Sequence, residues 1–292
     1  MISGEILIIE TPYSSILLPE YYGTHCQSCF IRILAPIPCW FCCKVRFCSD
    51  ICRLEAWERF HKVECQQLDL ILDSTLGKMA MLAMRILTSS GKIYLDYIIS
   101  KLEEEADARK DQPDATRKLA FNEEDIYDSA GEKHTATMLF HRHPIITYKN
   151  AFNFQKIALI IIIDYRTIYS LVTNSKQRGV GDLFKRALMS LYLLKILELT
   201  PFFYNGGSDP KNVKLNEKVA MGAVLLRHLQ NLPCNAHEIS ELEVQPLTGG
   251  GSNGGGKDAT SSIVHETGAA AFGTLSLLNH SCDPNVVRHY YS

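Results

Sequence analysis

Apolar residues recur at helical spacing along much of the chain beyond residue 65. In QQLDLILDSTLGKMAMLAMRILTSS, Leu68, Ile71, Leu72, Leu76, Met79 and Leu82 share one face of a predicted helix. IYLDYIISKLEEEADARK reads as a second helix with a polar end. GDLFKRALMSLYLLKILEL, opening after Gly179 and Gly181, reads as another. So does LNEKVAMGAVLLRHLQNL, with Asn216 and Glu217 near its start and Pro233 after its end. The longest apolar run, IALIIII at 157–163, reads as a buried strand or core helix segment, because a bilayer crossing needs about 20 residues. Three stretches break the pattern. Residues 103–128 carry ten acidic and four basic side chains around Pro113 and read as a solvated connector. FFYNGGSDPK is rich in turn formers, and TGGGSNGGGKDATSS, 248–262, reads as a flexible surface insertion. No internal repeat is evident.

Composition narrows the class. With 46% hydrophobic residues the chain can build a real core, and a net charge of -2 gives no reason to expect nucleic-acid binding. The opening MISGEILIIE has no basic region before its apolar stretch and carries Glu5 and Glu10, so no secretory leader is expected. The expectation is a soluble intracellular protein with no membrane partner.

Cysteines change the picture most. Eight of the ten fall between Cys26 and Cys65, spaced C-x2-C, nine residues, C-x2-C, five, C-x3-C, eight, H-x3-C. Such clustering in a long chain without a leader favours metal over disulfides. C-x2-C pairs set two thiolates on one side of a tight turn, while Cys48 with Cys52 and His61 with Cys65 share a helix face. The four pairs provide ligands for two zinc ions, and Cys43 is surplus. Sites closed by protein ligands leave no position for water, so this zinc is structural rather than catalytic. Between residues 40 and 65 five basic and four acidic residues nearly balance, which gives DNA binding by this segment no support.

Other polar clusters are thinner. His141 and His143 in FHRHP point opposite ways in a strand and lack a third ligand. Near the C-terminus, FGTLSLLNHSCDPNVVRHYY reads as an apolar helix-like turn, the segment NHSCDPN, and a strand over VVRHYY. Asn279 and His280 offer hydrogen bonds suited to a polar ligand, and Pro284 locks the turn. Read from residues alone, the turn is open to either a structural or a functional role. Cys282 has no other cysteine within forty residues.

The cysteine spacing, with Pro38 before Cys39, Phe47 before Cys48 and EAW at 55–57, resembles a MYND zinc finger. The resemblance implies interleaved sites: Cys26, Cys29, Cys48 and Cys52 on one zinc, Cys39, Cys42, His61 and Cys65 on the other, with Trp57 packed on the finger. NHSCDPN resembles the signature of SET-domain protein-lysine methyltransferases, and the two together point to the SMYD family. GEILIIETPY at 4–13 is similar to SET strands just before the finger, and CNAHEI at 234–239 to a segment near the lysine channel. LVTNSKQRGVGDLFKRA at 171–187 is similar to an arthropod-expanded branch of the family.

This resemblance implies an α+β fold, a SET-type β-fold interrupted by the finger and a helical region. The implied divisions are N-terminal SET strands at 1–25, finger at 26–65, helical insertion at 66–232 and SET core at 233–292. It implies S-adenosylmethionine contacts at Asn279, His280, Leu278, Ser276 and Asn174, and a lysine channel bordered by Asn235, Ala236 and His237, where relatives often place Phe rather than His237. The implied activity is methyl transfer to histone or non-histone lysines of a protein substrate, in nucleus and cytoplasm. The family's glycine-rich strand, closing tyrosine and post-SET cysteines, which would join Cys282 on a third zinc, are not found within the chain. A fragment with impaired activity is therefore expected. No catalytic residue is assigned, and Tyr290 and Tyr291 are not taken for the closing tyrosine. The alternative is a non-catalytic adaptor in transcriptional regulation whose finger docks proline-rich peptides.

Overall fold

A computed structural model of the chain describes residues 7–72, 75–110, 164–204, 213–246, 260–278 and 281–288. The chain divides into two compact units, residues 1–97 with 159–292, and residues 98–158. In the second unit the described residues are the later part of one helix, where Lys101 pairs with Glu104 at 2.9 Å.

The architecture is α+β. A three-stranded antiparallel sheet has the order β1 (Ser14–Leu17), β5 (Thr260–Ala271), β4 (Ala236–Pro246). Ser14 stands opposite Ala271 on one side of the central strand and Ala236 opposite the same residue on the other. A bulge interrupts β4 between Ile239 and Ser240. The small residues of TGAAA let neighbours crowd the central strand: a Cβ on Gly268 would lie 2.4 Å from the Ile16 carbonyl and 2.9 Å from the Phe30 ring, so only glycine fits.

After α1 (Asp50–Ala56), α2 (Lys62–Glu64) and α3 (Leu68–Ile71) comes α4 (Gly77–Ser90), which packs on strands β1 and β5 of this sheet and buries Leu82, Met84, Ile86 and Leu87. α4 stops at Gly91, whose φ of 76° suits glycine and whose N–H donates to the Leu87 carbonyl. α5 (Lys92–Lys110) follows, then α6 (Tyr165–Ser170), α7 (Val180–Glu198) and α8 (Leu215–Asn235).

The structure departs from the sequence pattern in several places. The helix expected across 68–82 is two helices: α3 ends at Ile71 and α4 begins at Gly77, whose φ of 73° lies outside the right-handed helical region. Residues 103–110, expected in the connector, extend α5. Pro233, expected beyond a helix, lies within the last turn of α8. Proline has no N–H for the Leu229 carbonyl, and the Arg186 guanidinium donates there instead. Thr260–Ser262, expected in the glycine-rich insertion, belong to β5. Described residues of the 4–13 stretch form no strand, and pairing begins at Ser14. Val286–Arg288 likewise carry no strand pairing among the described residues. The 157–163 run, His141, His143, Tyr290 and Tyr291 lie outside the described residues.

The finger is fastened to the sheet and to α4 by polar contacts, one of them buried. Glu64 and Arg85, both almost fully buried, form a two-pronged pair at 2.8 and 2.7 Å. Arg85 also donates to the Ser15 carbonyl at 3.1 Å, stacks over the Phe60 ring, and shares Glu64 with the Thr88 hydroxyl. His25 and Arg32 both meet Glu241 of β4, at 2.9 and 3.2 Å. Arg32, hydrogen-bonded to it, is foremost in holding the Glu241 carboxyl below the usual range.

Candidate functional site

The cysteine pairs converge because short elements present them. Strands β2 (Ile37–Pro38) and β3 (Arg46–Phe47) pair as a minimal hairpin, with Ile37 opposite Phe47. The Phe30 N–H donates to the Cys26 carbonyl at 2.9 Å, closing the first turn, where Phe30 adopts φ 66°. Ser49 caps α1 by accepting from the Cys52 N–H at 3.1 Å, which fixes Cys52 one turn from Cys48. His61 and Cys65 come from a continuous helical run over Trp57–Gln67. Trp57 packs beneath this run, 4.8 Å from the Phe41 ring and 6.1 Å from His61.

Two ligand groups result, Cys26, Cys29, Cys48 and Cys52 in one and Cys39, Cys42, His61 and Cys65 in the other. They are interleaved along the chain. In the first, Cys48 Sγ lies 3.6 Å from both Cys29 and Cys52. In the second, His61 Nε2 lies 3.2 Å from Cys39 Sγ and 3.5 Å from Cys42 Sγ, and Cys39 lies 3.8 Å from Cys65. A tetrahedron with Zn–S bonds of about 2.3 Å has edges of roughly 3.8 Å, so both groups fit zinc. Burial lowers the His61 imidazole to about 4, keeping a lone pair for metal. Hydrogen bonding with Cys29 lowers the Cys26 thiol to about 5, while the same bond pushes Cys29 up. Cys43, exposed, belongs to neither group.

A second polar cluster forms where α8 passes into β4. Asn174, in the left-handed region at φ 51°, donates to Cys234 Sγ at 3.4 Å. The Asn235 amide donates to the Val172 carbonyl at 3.0 Å and the Asn231 carbonyl at 2.6 Å. Ser276, on the 3-10 turn Leu275–Leu277, has its hydroxyl 2.9 Å from the Asn235 carbonyl, 2.6 Å from that of Phe272 and 3.3 Å from His237 Nε2. Arg288 reaches His237 Nδ1 at 2.6 Å. Burial first, and the nearby Arg288 charge second, lower the His237 imidazole. Asn174, Asn235, His237 and Ser276 are thus joined through contacts of the α8–β4 junction. Ala236 sits within the same strand start, opposite Ala271. Leu278 and Cys282 are exposed. Asn279 and His280 lie outside the described residues.

Two contributors carry no signal in the sequence. Both Glu10 carboxylate oxygens accept backbone N–H bonds, from Thr274 and Leu275, each at 2.8 Å. This anchors the 3-10 turn through a residue more than 260 positions away, as the separation of 264 for the first bond shows. Arg178 ties the loop before α7 to the end of α8, donating to the carbonyls of Thr173 at 2.9 Å and Gln230 at 2.6 Å. Among the described residues no helix is long and apolar enough to cross a membrane.

Residues 26–65 match the MYND finger family. The chain is similar to the protein-lysine N-methyltransferase SMYD4 of Danio rerio, 26% identical over 97% of this chain and 35% of that protein. The Homo sapiens SMYD4 protein-lysine N-methyltransferase is 25% identical over 98% of this chain and 36% of its own length. A SET and MYND domain-containing protein of Dictyostelium discoideum is 35% identical over 32% of the chain and 7% of that protein. The chain spans about a third of the length of the SMYD4 relatives it matches.

Proposed function

We propose that this chain is a member of the SMYD family and carries the catalytic region of an S-adenosylmethionine-dependent protein-lysine methyltransferase acting on histone or non-histone lysines. The observation that supports the reading is the joining of Asn174, Asn235, His237 and Ser276, from distant parts of the chain, around the end of α8. When bound, S-adenosylmethionine supplies a methyl group on a positively charged sulfonium. Asn174, Ser276 and Leu278, with Asn279 and His280, are assigned to hold it. Asn235, Ala236 and His237 are assigned to border the channel for the target lysine. That amine attacks only when neutral, yet a free lysine has a pKa of about 10.4. Walls that exclude water favour the neutral amine, and the protein otherwise supplies alignment.

The two zinc sites take no part in this chemistry and hold the finger together. Calorimetric titration of the 292-residue chain with S-adenosylmethionine, alongside transfer of labelled methyl to a panel of histone and non-histone peptides, tests the reading. Micromolar binding with label on lysine supports it. Absence of binding in a zinc-replete, folded chain defeats it.

One observation favours a second reading, an adaptor role for the finger. Trp40 and Phe41 are 47% and 69% exposed beside Trp57, and a cavity of about 270 Å³ is lined by Phe41, Trp57, Lys62 and Pro201 among others. Aromatic-lined grooves suit proline-rich peptides. Under this reading the intact chain captures such peptides, Phe41→Ala abolishes capture, and no lysine is methylated.

A further inference from the structure

The contacts of His237 fix its proton. A guanidinium can only donate, so the Arg288 bond at 2.6 Å requires a lone pair on His237 Nδ1. The imidazole is then neutral with its hydrogen on Nε2, which faces the Ser276 oxygen at 3.3 Å. The Ser276 hydroxyl passes its own hydrogen to the carbonyl of Phe272 or of Asn235. The direction is therefore set along the whole path, from Arg288 through His237 and Ser276 to the backbone at the α8 end.

This path spans the signature segment. Ser276 lies on the turn before it and Arg288 on the stretch after it, and His237 of β4 touches both. The turn is pinned separately by Glu10. The stretch Ser281–Arg288, by contrast, is exposed throughout and has no strand pairing among the described residues. We propose that His237 is a positioning residue for the cofactor-binding segment, its imidazole tying Arg288 to Ser276 so that the two arms of that segment are held against the start of β4.

The proposal rests on the methyltransferase reading and gives the residue at this position a task that a phenylalanine could not perform. It also accounts for the tilt of the ring. His237 packs edge-on against Phe272 at 5.6 Å and 81°, which leaves both nitrogens free for polar partners.

The test combines hydrogen–deuterium exchange with cofactor titration of the whole chain. His237→Phe, Arg288→Met and the double variant each remove the tie, whereas His237→Asn keeps an acceptor for Arg288. With S-adenosylmethionine bound, exchange of Ser281–Arg288 is expected to be about tenfold faster in the first three than in the parent chain and much less so in His237→Asn, the loss of one charge-assisted hydrogen bond. Affinity for S-adenosylmethionine should fall by a similar factor, with the double variant no worse than either single one. A residue that merely supports the fold would lower thermal stability in all four variants without this rescue or this non-additivity. If the parent chain binds cofactor while His237→Phe exchanges and binds as it does, the inference fails by itself. If the parent chain binds no cofactor, the methyltransferase reading fails, and the role given to His237 goes with it.

Discussion

The finger and the α8–β4 junction are built on opposite plans. In the finger every ligand falls within forty residues, each pair is set by a local turn or helix, and the metal supplies the closing force. At the junction, the partners are far apart in sequence, from Val172 with Asn235 to Glu10 with Thr274, and the closing force is hydrogen bonding to backbone carbonyls and amides. The first plan writes itself into spacing. The second leaves no periodic trace, because any polar residue at the right place in the fold will serve.

Metal removal separates the two regions most sharply. Structural zinc sites contribute apparent binding free energies of about 10–16 kcal/mol in finger peptides. Stripping zinc with a chelator should release two ions per chain, from the two ligand groups, and unfold the finger. Metal analysis with near-ultraviolet circular dichroism of Trp40 and Trp57 checks this. Retention of the tryptophan signal after complete removal would show that packing, not metal, organises the finger.

The next largest effect lies where the regions meet. Glu64→Gln leaves the Arg85 charge buried without its partner, and such changes cost about 3–5 kcal/mol. Urea unfolding should report that loss. Replacing both residues with apolar ones of similar size should restore much of it, and equal losses in the single and double variants would mean the pair gains more than it costs in desolvation.

Acid probes the helical side alone when one histidine is removed. His228 is fully buried, its Nε2 lies 2.9 Å from the Tyr165 hydroxyl, and burial lowers its imidazole from 6.5 to about 3. In that window the unfolded chain binds a proton that the folded chain does not. Stability from this residue is therefore whole above pH 6.5 and is lost as pH falls toward 3, by about 1.4 kcal/mol per pH unit. The difference between the parent and His228→Gln in unfolding free energy, followed from pH 7 to pH 5, should show this slope. A difference that does not change with pH would mean that His228 binds its proton as readily in the folded chain as in the unfolded one.

The smallest effect is the control on ligand assignment. Cys43→Ser should leave zinc content unchanged and move stability by no more than about 0.5 kcal/mol, since Cys43 is exposed and outside both groups. Loss of one zinc would reassign the ligand set.

What could be read in advance follows the same division. The cysteine pairs, the packing of Trp57 and the helices over 180–198 and 215–235 were legible because each depends on neighbours within a few turns. The break between Ile71 and Gly77 leaves little trace in the sequence, because an isolated glycine in an apolar helical pattern is usually tolerated and its positive φ shows only in the fold. Pro233 was placed outside α8 by its general effect on helices, but Arg186 supplies the hydrogen bond that the missing N–H would have made. The resemblance of GEILIIETPY to SET strands puts the first strand at 4–13, whereas the pairing begins at Ser14, inside the expected 1–25 region. Pairing was instead decided by the small central residues of β5. Glu10 and Arg288 were invisible as site residues, being ordinary charged side chains until the fold carries them to Thr274 and His237.

The joints between finger and body also bear on how such a module can be inherited. A forty-residue pattern looks portable, and recombination could move it between proteins as one piece. Here the piece has fitted edges: Phe30 presses on Gly268, Glu64 grips Arg85, and His25 and Arg32 share Glu241. A transplanted finger would coordinate its metals in the new host yet find no glycine, arginine or glutamate waiting, so the unit that travels must be larger than the unit that is recognised.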